Sequence, residues 1–382
     1  MTSVADHTRM SSPSPSAAVR LERIHASPRF DGRVFRNLTN ATSGMKKGTV
    51  VPTMKEYICG GERRVPEAPI PLQDPRPAWK AVPETGLRVT WLGHSTLFVE
   101  IDGARILTDP VWTQRASPVP FAGPKRFHAP PVPLASLPEL DAVLISHDHY
   151  DHLDRAAIRA LRKRNVRFIT SLGVGTHLES WGVPPENITE LDWWESTILE
   201  KSGVVITATP SQHFSGRTLL DRNATAWSSF HLQGPTHSVF HGADTGLTPE
   251  YNTVRERFGT FDLVLLEIGA WHPAWGDIHL GPEHALAAHS MLGSGKLLPI
   301  HWGTFNLAMH AWDEPIETLV SLAPSRGVVL VTPMIGEATE PSRIDGVAPW
   351  WRSVSAEERA AGKTGAPTET SNDLSAVSWP VD

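Results

Sequence analysis

Between Ser146 and Asp154 the chain reads Ser-His-Asp-His-Tyr-Asp-His-Leu-Asp, which places His147, His149, Asp151 and His152 within six residues. A neutral imidazole needs partners for both ring nitrogens, and a carboxylate taken out of water needs a counter-charge. Such a cluster at the end of an apolar run is costly unless it binds something. Divalent zinc suits this mixture of imidazole nitrogen and carboxylate oxygen. His147 and His149 are two apart, so an extended turn points them the same way. Asp151 and His152 come on the next bend and would face a second ion. One short cluster cannot fill two coordination spheres, so the remaining ligands must come from distant loops. Three candidates stand just past apolar runs, where strands deliver side chains to a common edge. They are His213 after VVITATPSQ, Asp244 after SVFHGA, and His301 after KLLPI.

The elements that must position these residues begin at Leu87. LRVTWLG, TLFVEID and ARILTD are short, apolar and rich in β-branched residues, with Asp102-Gly103 as a hairpin signal. A Pro-rich loop from Pro110 to Pro138 precedes the strand Asp141–Ser146. A helix is predicted from Asp154, as N-cap, to about Arg164. VRFIT reads as a strand, GVGTHLESWG as a short helix and VVITATP as a strand. The second half repeats this grammar. Strands TAWSSFHL and SVFHGA precede a helix near Pro249–Phe258, and the strand DLVLLEIG precedes a helix over Pro282–Leu292. Strands KLLPIH and GVVLVTP follow. Strand pairs followed by strand–helix alternation, twice over, predict two β-sheets packed together with helices outside, an α/β class.

Composition narrows the function. A formal net charge of −6 without a basic stripe argues against a sequence-independent grip on nucleic acid. The single cysteine, Cys59, excludes an intramolecular disulfide framework. The first twenty residues lack the apolar region of a signal peptide, and no stretch approaches the roughly 18 apolar residues of a membrane span. A soluble, cytoplasmic protein is the expectation. The reading of domains is a disordered N-terminus over 1–25, an irregular arm over 26–85, a catalytic domain over 86–353 and a disordered tail over 354–382. The sequence is compatible with a monomer or a homo-oligomer.

The order His-x-His-x-Asp-His, His, Asp, His resembles the signature of the metallo-β-lactamase superfamily. The flanking stretches LRVTWLGHSTLFVE, ILTDPVW, RASPVPFAGPKRF, VLISHDHYDHLD, ELDWWE, PSQHFSGRTL, GADTG, RFGTFDL and IHWGTF resemble the N-acyl phosphatidylethanolamine-hydrolysing phospholipase D family and its bacterial relatives. They run from residue 87 to 306. The resemblance implies an αββα sandwich of two mixed sheets and a dinuclear zinc centre, with iron or manganese as alternatives. It implies His147, His149 and His213 on one ion, Asp151, His152 and His301 on the other, and Asp244 between them. It also implies His279 beside the substrate phosphate, where it would protonate the leaving group, and Asp151 as an orienter of the nucleophile. Two adjacent cations lower the pKa of a shared water, so hydroxide attack on phosphorus in line is the expected chemistry. Asp109 and His94 are the candidates for holding the ligands in place from behind.

Three features depart from the family pattern. Asp148 stands where the lipid-cleaving enzymes carry asparagine, and is expected to face away from the ions. Glu267 and His272, in LLEIGAWHPAW, alter the expected rim. The arm lacks an obvious amphipathic stripe for entering a bilayer. The substrate expected is a phosphodiester, with a phospholipid first and peripheral membrane contact as its consequence. Trp193, Trp194, Trp271 and Trp275 are the residues expected to be exposed beside the metals. Alternatives are a soluble lactonase or phosphoester hydrolase similar to the ascorbate-6-phosphate lactonase group, and a non-enzymatic metal-binding protein.

Overall fold

The computed structural model describes residues 9–10, 17–39, 41, 46–218, 220–293 and 295–354. The chain enters through a two-residue strand β1 (Arg9–Met10) and the helices α1 (Ala17–Ala26) and α2 (Val50–Cys59). The first sheet then forms from β2 (Leu87–Gly93), β3 (Thr96–Ile101), β4 (Ala104–Thr108), β5 (Ala142–Ile145), β6 (Arg167–Ser171) and β7 (Ile188–Leu191). The second contains β8 (Glu195–Leu199), β9 (Val204–Thr209), β10 (Ser229–Gln233), β11 (Ser238–His241), β12 (Leu263–Glu267) and β13 (Lys296–Ile300). β14 (Ala338–Thr339) returns to the first sheet. The strand orders are β14-β2-β3-β4-β5-β6-β7 and β1-β8-β9-β10-β11-β12-β13.

Each sheet is mixed. β2, β3 and β4 run antiparallel, and β4 to β7 run parallel. In the second sheet β8 to β11 are antiparallel, and β11, β12 and β13 are parallel. A parallel pair needs a crossover, and helices supply them. α3 (Arg155–Leu161) joins β5 to β6, and α4 (Gly175–Ser180) lies between β6 and β7. α5 (Glu250–Phe258) and α6 (Gly281–Leu292) serve the second sheet, and α7 (Glu314–Leu322) packs beside α6.

The period-two pattern of the strands decides which face goes where. Leu87, Val89, Trp91, Leu97, Val99 and Ile101 meet Val204, Ile206, Phe230 and Leu232 in the core between the sheets. The alternate residues Leu92, Phe98, Leu107, Val143 and Ile145 pack outward against Ile158 and Leu161 of α3 and Leu178 of α4. α3 starts as predicted, because the Asp154 side chain accepts the Ala156 amide. The same carboxylate accepts the Trp112 and Thr113 amides, which ties the Pro-rich loop to the start of α3.

Three expectations need correction. Residues 17–25 are not a disordered terminus, because they form most of α1. Arg20 of that helix is buried against Glu190 and Glu179, with its Nε 2.5 Å from Glu190 Oε2. The arm is not wholly irregular, since α2 exposes Val50, Val51 and Met54 while Thr53 is buried beneath it. GVVLVTP contributes only a single bridge, Leu330 to Leu297, rather than a strand. The segment's end is instead tied to the C-terminal loop, where the Thr332 hydroxyl accepts the Ala348 amide and the Trp350 indole donates to the Pro333 carbonyl. The expected disordered tail lies outside the described residues from 355 onward.

Candidate metal centre

Every candidate ligand sits where a strand stops. β5 runs straight into Ser146 and His147, β9 leads to His213, β11 to Asp244 and β13 to His301. The parallel course of β4 with β5, and of β11, β12 and β13, puts these strand ends on a common edge. The turns there are strained. His94, Asp109, Ala243, Ala270 and His301 all have positive φ, and elsewhere among the described non-glycine residues only Asp102, Trp194 and Asn223 do. Such backbone persists only where the surroundings over-determine it, and it concentrates at functional sites. Gly269 permits a close approach, since a Cβ there would lie 2.2 Å from the His301 carbonyl oxygen.

Two clusters result. In the first, His147 Nε2 lies 2.8 Å and His213 Nε2 3.2 Å from His149 Nδ1. Hydrogen bonds behind the rings fix which nitrogens face inward. His147 Nδ1 donates to Ser146 Oγ, which donates to Asp109, and His213 Nδ1 donates to the Ile278 carbonyl. Lone pairs of His147 and His213 therefore face His149 Nδ1, an arrangement that suits a cation. In the second cluster, His152 Nε2 lies 3.1 Å from Asp244 Oδ1, and His301 Nε2 lies 3.2 Å from Asp244 Oδ2. Asp151 Oδ2 is 3.5 Å from His301 Nε2 and 3.6 Å from His152 Nε2. His152 Nε2, His301 Nε2 and Asp244 Oδ1 are buried without hydrogen-bond partners. Asp244 faces both clusters, with Oδ2 also 3.7 Å from His213 Nε2. Donor type, orphaned atoms and shared carboxylate all fit a pair of divalent ions.

Charge explains the readiness of the site. Burial holds His147 and His213 well below the ordinary histidine range, so both are neutral, as ligation requires. Burial alone would raise Asp244, but the His152 and His301 imidazoles outweigh it and hold the carboxyl ionised. Burial would likewise lower His301, yet Asp244 and Asp151 push it up to about 10. In the protein alone, His152 and His301 thus carry protons that offset buried carboxylates, and a metal arriving there must displace them.

The outer partners are arranged around these rings. Asp109 accepts from His152 Nδ1 at 2.8 Å and from the Ser146 amide, and His94 Nε2 donates to Asp151 Oδ2 at 3.0 Å. Asp148 faces away, as expected, accepting the Gly216 amide and lying 3.3 Å from His177 Nε2. His279 lies beside the centre, its ring 5.1 Å from that of His213 and 5.5 Å from that of His301.

Sequence reasoning took Glu267 for a rim residue. It is fully buried at the end of β12, accepting from His279 Nδ1 at 2.6 Å and from the Thr245 amide at 2.7 Å. Its address, at the end of an apolar strand on the edge that carries the candidate ligands, is close to the signal that singled out Asp244 and His301, which stand just past theirs. Asn37 was missed as well. Its side chain exchanges two hydrogen bonds with the His213 backbone, and Thr39 donates to Gln212, so the arm pins a metal loop. The four tryptophans expected at an open rim are all half-buried. Trp193 lies under Arg29, Trp194 under Arg257, Trp271 stacks on His310 and Trp275 lies beside His272.

This geometry agrees with what the chain is similar to. Residues 104–302 match the beta-lactamase superfamily domain. N-acyl-phosphatidylethanolamine-hydrolyzing phospholipase D 1 of Caenorhabditis elegans is 33% identical over 355 residues, covering 87% of this chain and 99% of that protein. The chain belongs to this family of the β-lactamase superfamily. An uncharacterised protein of Mycobacterium tuberculosis is 48% identical over 331 residues, 85% of this chain and 88% of its own length. The fold is shared with a metallo hydrolase of the archaeon Ignicoccus hospitalis, at a TM-score of 0.52 and 23% identity over 66% of this chain and 97% of that one. The protein is thus a metal-dependent hydrolase of the metallo-β-lactamase fold, an αββα sandwich, as the family resemblance implied.

Proposed function

We propose that the protein is a dinuclear zinc phosphodiesterase that cleaves an N-acylated glycerophospholipid in the manner of phospholipase D. The observation that carries the reading is the pair of ligand clusters sharing Asp244, set beside the buried Glu267–His279 pair. His147, His149 and His213 would hold one ion, Asp151, His152 and His301 the other, with Asp244 common to both. Bound there, the ions supply positive charge that favours hydroxide at neutral pH and offsets charge on the phosphoryl oxygens. The remaining work falls to side chains. Asp151, itself fixed by His94, orients the nucleophile. Glu267 holds Nδ1–H of His279 and raises its basicity against the effect of burial, so that Nε2 can deliver a proton to the departing alkoxide.

The lipid substrate draws support from the family and from the surface of the segments that meet the metal loops. Leu38 and Leu220 stand in segments that contact or follow His213, Phe121 in the Pro-rich loop, and Val50, Val51 and Met54 on α2. All are exposed, Leu220 at 98% and Phe121 at 79%. No helix among the described residues is long and apolar enough to cross a membrane. Work at a membrane surface fits the exposed apolar side chains.

The test is a zinc titration of the metal-stripped protein, followed by metal content and by hydrolysis of a diester. Activity should rise up to two equivalents, and His301→Ala should retain one ion, remain folded and lose at least about a thousandfold in turnover. Full activity at one equivalent, or in His301→Ala, would overturn the two-ion reading.

A further inference from the structure

Two polar atoms beside the candidate metal centre are buried without a partner. His310 Nδ1 donates to the Ala311 carbonyl at 2.8 Å, so its Nε2 presents a lone pair. Burial keeps this ring neutral by lowering its pKa. Trp271 lies alongside it, with ring centroids 6.3 Å apart and planes inclined by 25°. The indole Nε1 can only donate. Neither His310 Nε2 nor Trp271 Nε1 has a hydrogen-bond partner among the described residues. One acceptor and one donor are thus left open on adjoining rings, and each costs free energy while it stays so.

Both rings line a cavity of about 560 Å³ between α2 and the loops after β12 and before α7. Other polar groups on its wall already have partners. Glu56 accepts from His272 Nε2 at 3.1 Å, and Glu314 accepts the Ala311 amide at 3.1 Å. Met309, Pro52 and Pro273 supply apolar surface. Pro52 adjoins the exposed Val51 on α2, so an alkyl chain leaving the cavity would meet apolar side chains. The cavity also adjoins the proposed chemistry. His310 lines the narrow crevice that reaches metal-ligand candidate His301. Trp271 packs so closely on Gly281 that a Cβ there would lie 2.8 Å from the indole. Gly281 follows His279, the proposed donor to the departing alkoxide, by two residues. In an N-acylated ethanolamine head group the amide stands two methylenes from that alkoxide oxygen.

We propose that His310 and Trp271 form a subsite for a secondary amide, and that this pair selects the N-acyl group of the substrate. The amide N–H donates to His310 Nε2, and the amide carbonyl accepts from Trp271 Nε1–H. Each orphaned atom gains the partner it lacks. An ester in the same place turns an oxygen lone pair toward His310 Nε2 and leaves that nitrogen unsatisfied, so the site discriminates against it. The place of the subsite in the reaction rests on the phospholipid reading, whereas the binding of an amide does not.

The experiment compares N-hexanoylethanolamine with 2-hydroxyethyl hexanoate, its ester counterpart, by calorimetric titration into the zinc-loaded protein. Short-chain glycerophospholipids carrying these two head groups, and a third whose ether lacks the carbonyl, are then compared in hydrolysis. Mass spectrometry follows the freed alcohol. The amide should bind at least about tenfold more tightly than the ester, and its phospholipid should be favoured at least about tenfold in kcat/KM. His310→Phe should bring both amide-to-ester ratios toward one. Trp271→Phe keeps a ring but removes the N–H, so it should narrow the ester-to-ether ratio, and it serves as the second variant should the first fail to fold. Equal binding of amide and ester by the wild type would overturn the subsite. So would an amide-to-ester ratio unchanged in His310→Phe, or an ester-to-ether ratio unchanged in Trp271→Phe. Equal cleavage of the amide and ester phospholipids would also overturn it while leaving the phosphodiesterase reading intact. Amide-selective binding with no phospholipid cleaved would support the subsite and sink the phosphodiesterase reading.

Discussion

At the scale of single residues, the site depends on what stands behind the ligands. Glu267 accepts from His279 and from the amide next to Asp244, so it fixes the proposed acid–base group His279 and the Asp244 loop together. Glu267→Gln keeps the shape and removes the charge. Turnover of alkyl diesters is expected to fall by about 10–100-fold, the usual effect of removing an outer partner. p-Nitrophenyl esters, whose leaving group needs no proton, should lose far less. Equal losses would show that Glu267 serves only packing. Asp109 plays the matching part for His152. Burial would raise its carboxyl, but the His152 and His241 imidazoles outweigh this and hold it at about 2. A depressed carboxylate stabilises the fold at pH values above its unfolded value, and that stabilisation fades as pH falls toward about 2. The shift corresponds to roughly 2 kcal/mol. Asp109→Asn should therefore lower Tm at pH 7 and flatten its decline between pH 4 and pH 2.5. An unchanged acid limb would contradict this assignment.

At the scale of elements, legibility followed the physics of each segment. The strand ends that carry the candidate ligands could be read because alternating apolar runs announce where a strand stops, and a polar residue just beyond it has few places to point. Glu267 shares that address, yet its orientation depends on His279 and Thr245, which lie elsewhere in the chain. α1 carried no such signal. Its anchor is an ion pair reaching 170 residues along the chain, Arg20 to Glu190, where Glu190 also accepts the Gly173 and Gly175 amides. Neither a weakly apolar helix nor a distant glutamate predicts the other. GVVLVTP has the composition of a strand, but its end is tied to the C-terminal loop through the Thr332 hydroxyl and the Pro333 carbonyl. The anchor itself makes a prediction. Glu190 is fully enclosed, so Arg20→Ala leaves an uncompensated buried charge, and such losses cost roughly 3–5 kcal/mol. Urea denaturation should register that loss, and a change below about 1 kcal/mol would show that α1 is merely laid on the surface.

At the scale of the whole molecule, two sheets bring their strand ends to one edge, and the N-terminal arm crosses it through Asn37, Thr39 and α2. That edge carries the candidate metal centre. The proposed reaction is hydrolysis of a phospholipid at phosphorus. The most direct measurement is hydrolysis of N-acyl phosphatidylethanolamine vesicles by the two-zinc protein in ¹⁸O-labelled water, with products followed by mass spectrometry. Phosphatidic acid carrying the label, released with unlabelled N-acylethanolamine, is the predicted result. Label in the N-acylethanolamine or in a freed fatty acid, or no turnover by protein that holds both ions, would contradict it.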